Sequence, residues 1–358
     1  MGTASKDVEL LETLVTSSLA LLNQFIASLS STSAAPITDS ITNPPNPLKV
    51  ASDSAKLVKA HTTKLSLLAI NKPFTPSAIA KVLKELASTC LPAMMSAAQI
   101  CEQEKEIWSD LMSRELQSRV RRVFREMTVL LEEVQAIATG DTISKKRDSL
   151  SSTGVVWESC DALIDLEKLG IGGLVVQKAE QYRDTIKDAI EELREWAEGE
   201  DPESEGHDDA LLDSDDEGVD GDRDSIEDIF NAANSMPKDR PELRALVEEA
   251  DRKLKKVVIL YNAVLKRRLK TFKTSERSDE DMSAVSKLDI LMVHLRRIPH
   301  QVDEMAGCFY DLDEARSKEA LAKCVDEALS ASKVVEMGWD GKENEFTAWL
   351  GTWSGAVG

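Results

Sequence analysis

The chain has 358 residues, with 44 Lys or Arg against 64 Asp or Glu, and a formal net charge of −20. This length allows two domains of ordinary size, or one elongated helical body, and it excludes a chain too small to bury a core. Residues 198–228 contain 16 acidic residues and one basic residue, Arg223, which gives the segment a net charge of −15 and leaves −5 for the rest. Such local acidity favours a segment that faces a partner over general solubility.

The five cysteines form no CxxC pair and no even framework, which favours a reducing compartment over a secreted disulfide scaffold. Lys6 stands where a myristoylation signal needs Ser or Thr. We see no apolar run of 18 residues and no basic leader followed by an apolar one. We therefore expect a soluble intracellular protein without a membrane partner.

The first part of the chain predicts four helices. Apolar residues recur at helical spacing over 6–29 with Ser5 as N-cap, and again over 48–70, after a proline-rich link. A third helix is expected from Pro76 with a bend at Pro92, and a fourth from 104 to 139 with Gly140 as C-cap. The polar sequence SKKRDS then predicts a domain boundary, so that residues 1–140 form an N-terminal helical bundle.

The remaining chain predicts two helices around a glycine turn within 153–196, and then the acidic segment. Further helices are expected at about 240–273, 282–311 and 313–337. Because strand signals are nearly absent, the predicted class is all-α, with two antiparallel bundles of long helices and an acidic disordered insertion. Residues 141–340 are the predicted second bundle, with the insertion at about 198–228. Residues 341–358 are predicted to form a short C-terminal tail.

Catalytic, metal and cofactor sites are not expected. None of His61, His207, His294 and His300 follows a Glu by three residues, as di-iron helical bundles require. The glycines at 170–173 follow a helix and lack both the third Gly of GxGxxG and a GK[ST] sequence, so they predict a C-cap and a turn. Cys160 has no His near it in sequence to act as a base.

A longer pattern spans the two helices around the glycine turn. It reads VW-x-x-C-D, then K-D-A-x-E-E-L, and it contains Trp157, Cys160, Asp161, Asp188 and Glu192. At this spacing it resembles the GCIP family, helical proteins named for binding D-type cyclins. The resemblance implies an all-helical, non-enzymatic adaptor or regulator of the nucleus and cytoplasm, acting in cell-cycle or transcriptional control. The implied partner is a cyclin-like regulatory protein.

Trp157 permits two interpretations. It lies one helical turn from Cys160, and Leu163 and Ile164 continue the face, which favours a buried core anchor. The other interpretation is an exposed aromatic anchor for a partner groove, because Trp is enriched at binding hot spots.

The helix predicted at 240–273 has one apolar face and one basic face. At about 100° per residue, seven basic residues fall within about 60° of one direction and define the basic stripe: Arg252, Lys255, Lys256, Lys266, Arg267, Lys270 and Lys273. The stripe is interpreted as a solvated face, as a docking surface for the chain's own acidic segment or, least favoured by the acidic total charge, as a nucleic-acid contact. A smaller arginine stripe at 114–125 has the same interpretations.

The acidic segment is the candidate partner-binding element, although a plain solvated loop explains it too. Its candidate contacts are Asp208, Asp209, Asp213, Asp215, Asp216 and Glu217. Ser214 and Ser225 precede acidic residues, as acidophilic kinases prefer, and phosphorylation would add about −1.5 to −2 charges per site. We expect disorder in isolation, because such a composition buries too little apolar surface to offset the ordering entropy.

Two functions follow from these features. The first is a helical adaptor that binds a regulatory protein. The alternative is an acidic escort chaperone that shields a basic client such as a histone or a ribosomal protein. Strong salt dependence of the complex would favour the escort, since ions screen exposed charge contacts.

Overall fold

The computed structural model describes residues 3–30, 44–139, 151–199, 235–237, 239–273 and 279–358. Helices account for 88% of the described residues and none of these residues lies in a strand, which confirms the all-α class. In chain order the helices are α1 Thr3–Ser30, α2 Pro47–Ile70, α3 Pro76–Glu85, α4 Leu91–Gln103, α5 Lys105–Trp108, α6 Asp110–Thr139, α7 Ser152–Glu198, α8 Pro241–Arg267, α9 Asp279–Tyr310, α10 Glu314–Val334 and α11 Glu345–Val357.

The chain forms two compact units. Unit 1 contains Met1–Leu174 and Ser275–Ser286, and unit 2 contains Val175–Thr274 and Lys287–Gly358. The division therefore falls inside α7 and α9 and not after residue 140, where the polar sequence suggested it. The predicted C-cap at Gly140 lies outside the described residues.

Several helix ends carry side-chain caps, whereas Ser5, the predicted N-cap of the first helix, lies inside α1. The Asn46 side chain accepts the Lys49 N–H, and Pro47 fills the first position of α2. The Asp313 side chain caps α10 through the Arg316 N–H. Asn344 and Thr347 form a reciprocal capping box at the start of α11.

In unit 1, α1 packs against α3 and α6, and α4 packs against α2 and α6. The bend expected at Pro92 is a π-helical turn, Leu86–Cys90, that leads into α4 with Pro92 in its first turn. The predicted helix 104–139 is interrupted at Ser109, whose φ is 71°. The Ser109 hydroxyl accepts the Met112 N–H at 3.2 Å and so caps α6.

Helix α1 corrects one expectation. Residues Lys6–Ser30 are long and apolar enough to cross a membrane by length and composition, although no such run was expected. Core helices and N-terminal signal sequences have the same composition, so one such helix carries little weight. Leu11 and Leu22 are fully buried, and the Phe25 ring lies 5.5 Å from that of Phe124 in α6.

In unit 2, the second half of α7 runs antiparallel to α8. Arg183 donates to the Asn262 side-chain oxygen at 3.1 Å. Further along α7, the Ala197 carbonyl accepts a hydrogen bond at 3.1 Å from Arg244, which lies nearer the start of α8. Helices α10 and α11 also pack on α8. Tyr261 of α8 is fully buried and donates its hydroxyl proton to the Leu295 carbonyl.

The segment expected to be a tail contains helix α11. Its apolar face is buried, at Phe346, Leu350, Trp353 and Val357. Trp353 donates its indole N–H to the Lys256 carbonyl at 2.9 Å. The sequence of α11 is short, contains glycine and shows little helical period, so it did not predict a helix. Burial of its aromatic side against α8 stabilises the helix.

Arg268 is buried where α8, α10 and α11 meet. Its guanidinium donates to the carbonyls of Val335 at 2.9 Å and Glu336 at 3.2 Å, and to the Asn344 side chain at 3.3 Å. It also lies 4.4 Å from the centre of the Phe346 ring. Burial lowers the pKa of Arg268 from its usual value. This cation therefore belongs to the core of unit 2.

Candidate protein-interaction site

The first half of the family pattern anchors α7 in unit 1. Cys160 is fully buried, and burial raises the pKa of its thiol to about 12, so the thiol is unsuited to nucleophilic chemistry. The Asp161 carboxylate pairs with the Lys59 ammonium of α2 at 2.5 Å. Arg119 of α6 donates to the Ala162 carbonyl at 2.5 Å. These contacts fix α7 against both α2 and α6.

Trp157 is not a core residue, so that interpretation was wrong. Its side chain is 37% exposed, whereas Val156 and Cys160 are fully buried and Leu163 is 1% exposed. At about 100° per residue, these three residues share a sector of about 60°, and Trp157 lies about 100° from Val156. The apolar face is therefore centred away from Trp157, which lies at its edge with part of its ring in solvent.

The second half of the pattern lies in unit 2. Asp188 and Glu192 are both exposed on α7. Burial raises the pKa of Tyr310 to about 12, and the Glu192 carboxylate, which hydrogen-bonds the Tyr310 hydroxyl, contributes to this rise. The Trp196 ring meets the Tyr310 ring edge to face at 5.3 Å. Glu192 thus has a structural contact, while Asp188 faces solvent.

The basic stripe consists of two clusters. Helix α8 ends at Arg267 and a 3-10 turn, Leu269–Thr271, follows, so Lys270 and Lys273 do not continue the helical face. Between the clusters, the exposed side of α8 carries Ile259 and Asn262. The single continuous stripe predicted from one helical wheel was therefore wrong.

The cluster at the start of the stripe has local partners. Lys255 pairs with Asp251 at 2.7 Å, and Arg252 donates its Nε–H to the Glu248 carbonyl at 3.3 Å. Lys256 donates to the Ala356 carbonyl near the end of α11. These contacts occupy much of this cluster within unit 2.

The cluster at the end of the stripe is more open. Lys270 lies 3.6 Å from the Glu180 carboxylate. Lys266, Arg267 and Lys273 are exposed, and no acid of the described ranges pairs with any of them.

The smaller arginine stripe of α6 is largely structural. Arg119 pairs with Glu115 at 2.8 Å and Arg122 pairs with Glu158 of α7 at 2.9 Å. Arg121 donates to the Leu29 carbonyl at the end of α1, where the terminal carbonyls of a helix lack intrahelical donors. Arg125 remains exposed.

A groove lies between α7 and α8 in unit 2. It encloses about 430 Å³, and its floor is formed by buried apolar side chains, among them Ile190, Leu193, Val247 and Leu254. A second hollow of about 250 Å³ shares Ile190 with it and extends it towards Val258. Sequence reasoning missed the groove, because it arises from the packing distance between two helices that are far apart along the chain.

Charged side chains form the rim of this groove. Arg194, Arg244 and Arg252 supply the cations, and Glu198, Glu248 and Asp251 supply the acids. An apolar floor with a charged rim is the arrangement that grooves for amphipathic helices use.

The ends of the acidic segment meet beside the groove. The Met236 N–H donates to the Trp196 carbonyl at 3.0 Å. A Cβ atom added to Gly199 would lie 3.8 Å from Cβ of Ser235. Gly199 and Ser235, the described residues on either side of 200–234, thus lie close together. The candidate contacts Asp208, Asp209, Asp213, Asp215, Asp216 and Glu217, and the serines Ser214 and Ser225, lie outside the described residues.

Two of the histidines lie near carboxylates. His294 lies 2.8 Å from the Glu327 carboxylate, and His61 lies 3.6 Å from that of Glu85. Within the described part of the chain, no three His, Cys, Asp or Glu side chains are grouped to hold a metal ion. His207 lies outside that part.

Comparison with known proteins gives one family match and two relatives. Residues 51–199 match the family described as Grap2 and cyclin-D-interacting, N-terminal. An uncharacterized protein of Schizosaccharomyces pombe is 25% identical over 315 residues, which cover 86% of this chain and 83% of that protein. A cyclin-D1-binding protein 1 homologue of Xenopus laevis is 28% identical over 262 residues, which cover 72% of this chain and 69% of that protein.

The match runs from α2 to the residue before the acidic segment and contains all five residues of the pattern that carried the resemblance. Residues 51–199 are therefore similar to the GCIP family, which confirms the resemblance that the pattern around Trp157 and Glu192 predicted.

Proposed function

We propose that this protein is a non-enzymatic adaptor or regulator that binds a cyclin-like regulatory protein in cell-cycle or transcriptional control, in the cytoplasm and the nucleus. The family match over residues 51–199 carries the proposal, because that family is described as cyclin-D-interacting. The Xenopus laevis relative, which covers most of the chain, is named for binding cyclin D1.

Trp157 is the proposed anchor of this interaction. It lies within the matched residues, and its side chain is 37% exposed beside a buried helical face. An amphipathic ring held at the edge of a rigid helix exposes apolar area at little entropic cost, which is why Trp dominates interface hot spots. The fixed position of α7 against α2 and α6 gives the ring that rigid base.

The test is a binding measurement with a purified D-type cyclin. Trp157→Ala should weaken binding at least about tenfold, since a hot-spot truncation costs about 2 kcal/mol or more. Ile259→Ala is the matched control, because Ile259 is 51% exposed on α8 outside the matched residues and should leave binding unchanged. Equal affinities for the two variants would remove Trp157 from the interface, and no binding by the unmodified chain would remove the cyclin-like partner.

The alternative is an acidic escort chaperone, and one observation favours it. Gly199 and Ser235, which flank the acidic residues 200–234 in sequence, lie close together in unit 2, and a basic client that binds the residues between them would leave α7 and α8 folded. A complex with histone or ribosomal protein that is lost when residues 203–232 are replaced by a Gly-Ser linker of equal length would support it. Ser214 and Ser225 are the proposed phosphorylation sites, and their modification would strengthen this contact.

A further inference from the structure

Unit 1 carries four exposed apolar side chains on three of its helices. They are Leu67 of α2, Val129 of α6, and Val155 and Trp157 of α7, and each is between 37% and 51% exposed. Among the described residues of 51–199, Leu57 is the one further large apolar side chain with such exposure. Single exposed apolar residues need no explanation, whereas a contiguous group of them marks a contact surface. The register of the helices decides which case applies.

Two contacts set α2 antiparallel to the first half of α7. Ser66 and Thr153 share a hydrogen bond at 2.7 Å, and Lys59 pairs with Asp161 at 2.5 Å. Leu67 follows Ser66 directly, so it lies level with the start of α7 and within two helical turns of the exposed tryptophan. At about 100° per residue, Leu67 is about 80° to 100° from the two α2 positions that face α7. It therefore lies on the solvent side of α2, at the edge next to α7.

Two further contacts set α6 antiparallel to the same part of α7. Arg122 pairs with Glu158 at 2.9 Å, and Glu133 accepts the Ser152 hydroxyl at 2.7 Å. Val129 lies between these two contacts along α6 and about 20° from Arg122 around it, so it is next to α7. The opposing stretch of α7, between Ser152 and Glu158, contains the exposed valine and the exposed tryptophan. The four apolar side chains thus lie together on one surface, the three-helix face.

Gly154 lies in the middle of the three-helix face. It is helical and exposed, and a Cβ atom added to it would meet none of the described atoms within 4 Å. Packing inside the protein therefore does not require glycine here, although glycine is about 1 kcal/mol less favourable than alanine inside a helix. The missing side chain lets a partner approach the backbone of α7 closely, beside Val155 and Trp157.

The charges around the three-helix face are largely paired with each other. Lys59 with Asp161 joins α2 to α7, and Arg122 with Glu158 joins α6 to α7. These ion pairs hold the three helices in fixed positions, so the face is preformed and little ordering entropy opposes binding. A partner is therefore selected by apolar surface more than by charge.

We propose that the three-helix face, and not Trp157 alone, is the docking surface for the cyclin-like regulatory protein. The inference rests on the proposed function, because that function supplies the partner. All of the face lies within residues 51–199, which match the family described as cyclin-D-interacting. The bound partner places apolar side chains over α7 at Gly154 and reaches Leu67 on one side and Val129 on the other.

Binding of a purified D-type cyclin to the full chain tests the three-helix face. Leu67→Asp and Val129→Asp should each weaken binding at least about tenfold, because a carboxylate in an apolar contact loses water without gaining a partner. Leu57→Asp is the matched control and should leave the affinity unchanged. Leu57 is 49% exposed on the same helix as Leu67, but it lies ten residues, or about 15 Å, further along the axis.

Gly154→Leu fills the open space on α7 and should also weaken binding at least about tenfold. The unfolding midpoint of each variant without cyclin separates binding from folding, and none should fall below that of the unmodified chain, since all four positions are exposed.

The outcomes separate this inference from the proposed function. Unchanged affinity of Leu67→Asp, Val129→Asp and Gly154→Leu, together with weakened binding of Trp157→Ala, would overturn the three-helix face and leave the proposed function in place. Absence of binding by the unmodified chain would overturn both. Self-association of the unmodified chain that Leu67→Asp abolishes would also overturn the inference, by identifying a second copy as the occupant.

Discussion

At the scale of single residues, Trp157 and Cys160 lie one helical turn apart, and one of them is exposed while the other is buried. Cys160 is sealed inside unit 1, whereas Trp157 keeps 37% of its surface exposed. Their spacing in sequence predicted a shared face, and it could not predict where that face is centred. The centre is set by the positions of α2 and α6, which are fixed by distant contacts such as Lys59 with Asp161.

The exposure of Trp157 predicts a small stability effect. Trp157→Ala should lower the free energy of unfolding by about 1–2 kcal/mol, less than the 3–5 kcal/mol typical of fully buried aromatic residues. Leu163→Ala, at a position only 1% exposed, should cost about 2–5 kcal/mol although Leu is smaller. Urea unfolding of both variants measures the difference, and a larger loss for Trp157→Ala would return Trp157 to the core.

Arg268 donates its hydrogen bonds to the carbonyls of Val335 and Glu336 and to the Asn344 side chain, and to no carboxylate. We expect its replacement to lower stability strongly. Arg268→Met should destabilise by about 2–4 kcal/mol, because three buried or partly buried acceptors in the connection between α10 and α11 lose their donor. Arg267→Met is the control, since Arg267 is exposed and its loss should stay within about 0.5 kcal/mol. Similar unfolding midpoints for both variants would contradict the structural role of Arg268.

The buried thiols predict loss of stability at high pH. Burial raises the pKa values of Cys101, Cys160 and Cys324 to about 12 from the model-peptide value of 9.0. A pKa raised in the folded state favours folding at pH below the unfolded value, and the contribution is lost as the pH rises from about 9 to about 12. Because these thiols are buried, alkylation by iodoacetamide at pH 8 should require unfolding. Mass spectrometry after treatment at increasing urea concentrations measures the alkylation. Rapid alkylation of the folded chain would contradict the burial of these cysteines.

At the scale of secondary-structure elements, helical period and capping residues predicted most of what is observed. The start of α2 near Leu48, the turn at Gly170 and helices α9 and α10 follow the sequence signals closely. Helix α11 and the π-helical turn before α4 were not predictable, since burial of aromatic residues and the packing of α3 with α4 decide them. The basic stripe does not form a single surface, because a helical wheel assumes one unbroken helix and α8 ends at Arg267.

Gly170 provides a prediction about the break in α7. Its backbone has φ 59° and ψ −171°, a region that residues with a side chain rarely adopt. Gly170→Ala should cost about 1–3 kcal/mol, whereas Gly154→Ala, at an exposed helical position with open space around it, should add about 0.5–1 kcal/mol. Thermal unfolding of the two variants compares them on the same helix. A gain in stability for Gly170→Ala would mean that α7 is continuous.

At the scale of the whole molecule, composition and periodicity sufficed for an all-α chain with two compact units. They did not locate the division, because α7 and α9 each contribute to both units. The groove in unit 2 also had no sequence signal, since residues 190–198 of its α7 wall and residues 244–254 of its α8 wall are far apart along the chain. The family pattern is a short sequence motif that indicated a function, and the match over residues 51–199 confirms its resemblance to the family.

We propose that the protein acts by binding a cyclin-like protein through its helical surface and not through its acidic charge. The most direct measurement is the dissociation constant of the full chain for a purified D-type cyclin at about 0.05 M and about 0.5 M NaCl. The account predicts binding that changes less than about threefold between the two salt concentrations, since an aromatic anchor is screened little. Absence of binding, or binding that disappears at high salt together with a dependence on residues 203–232, would contradict it and favour the acidic escort.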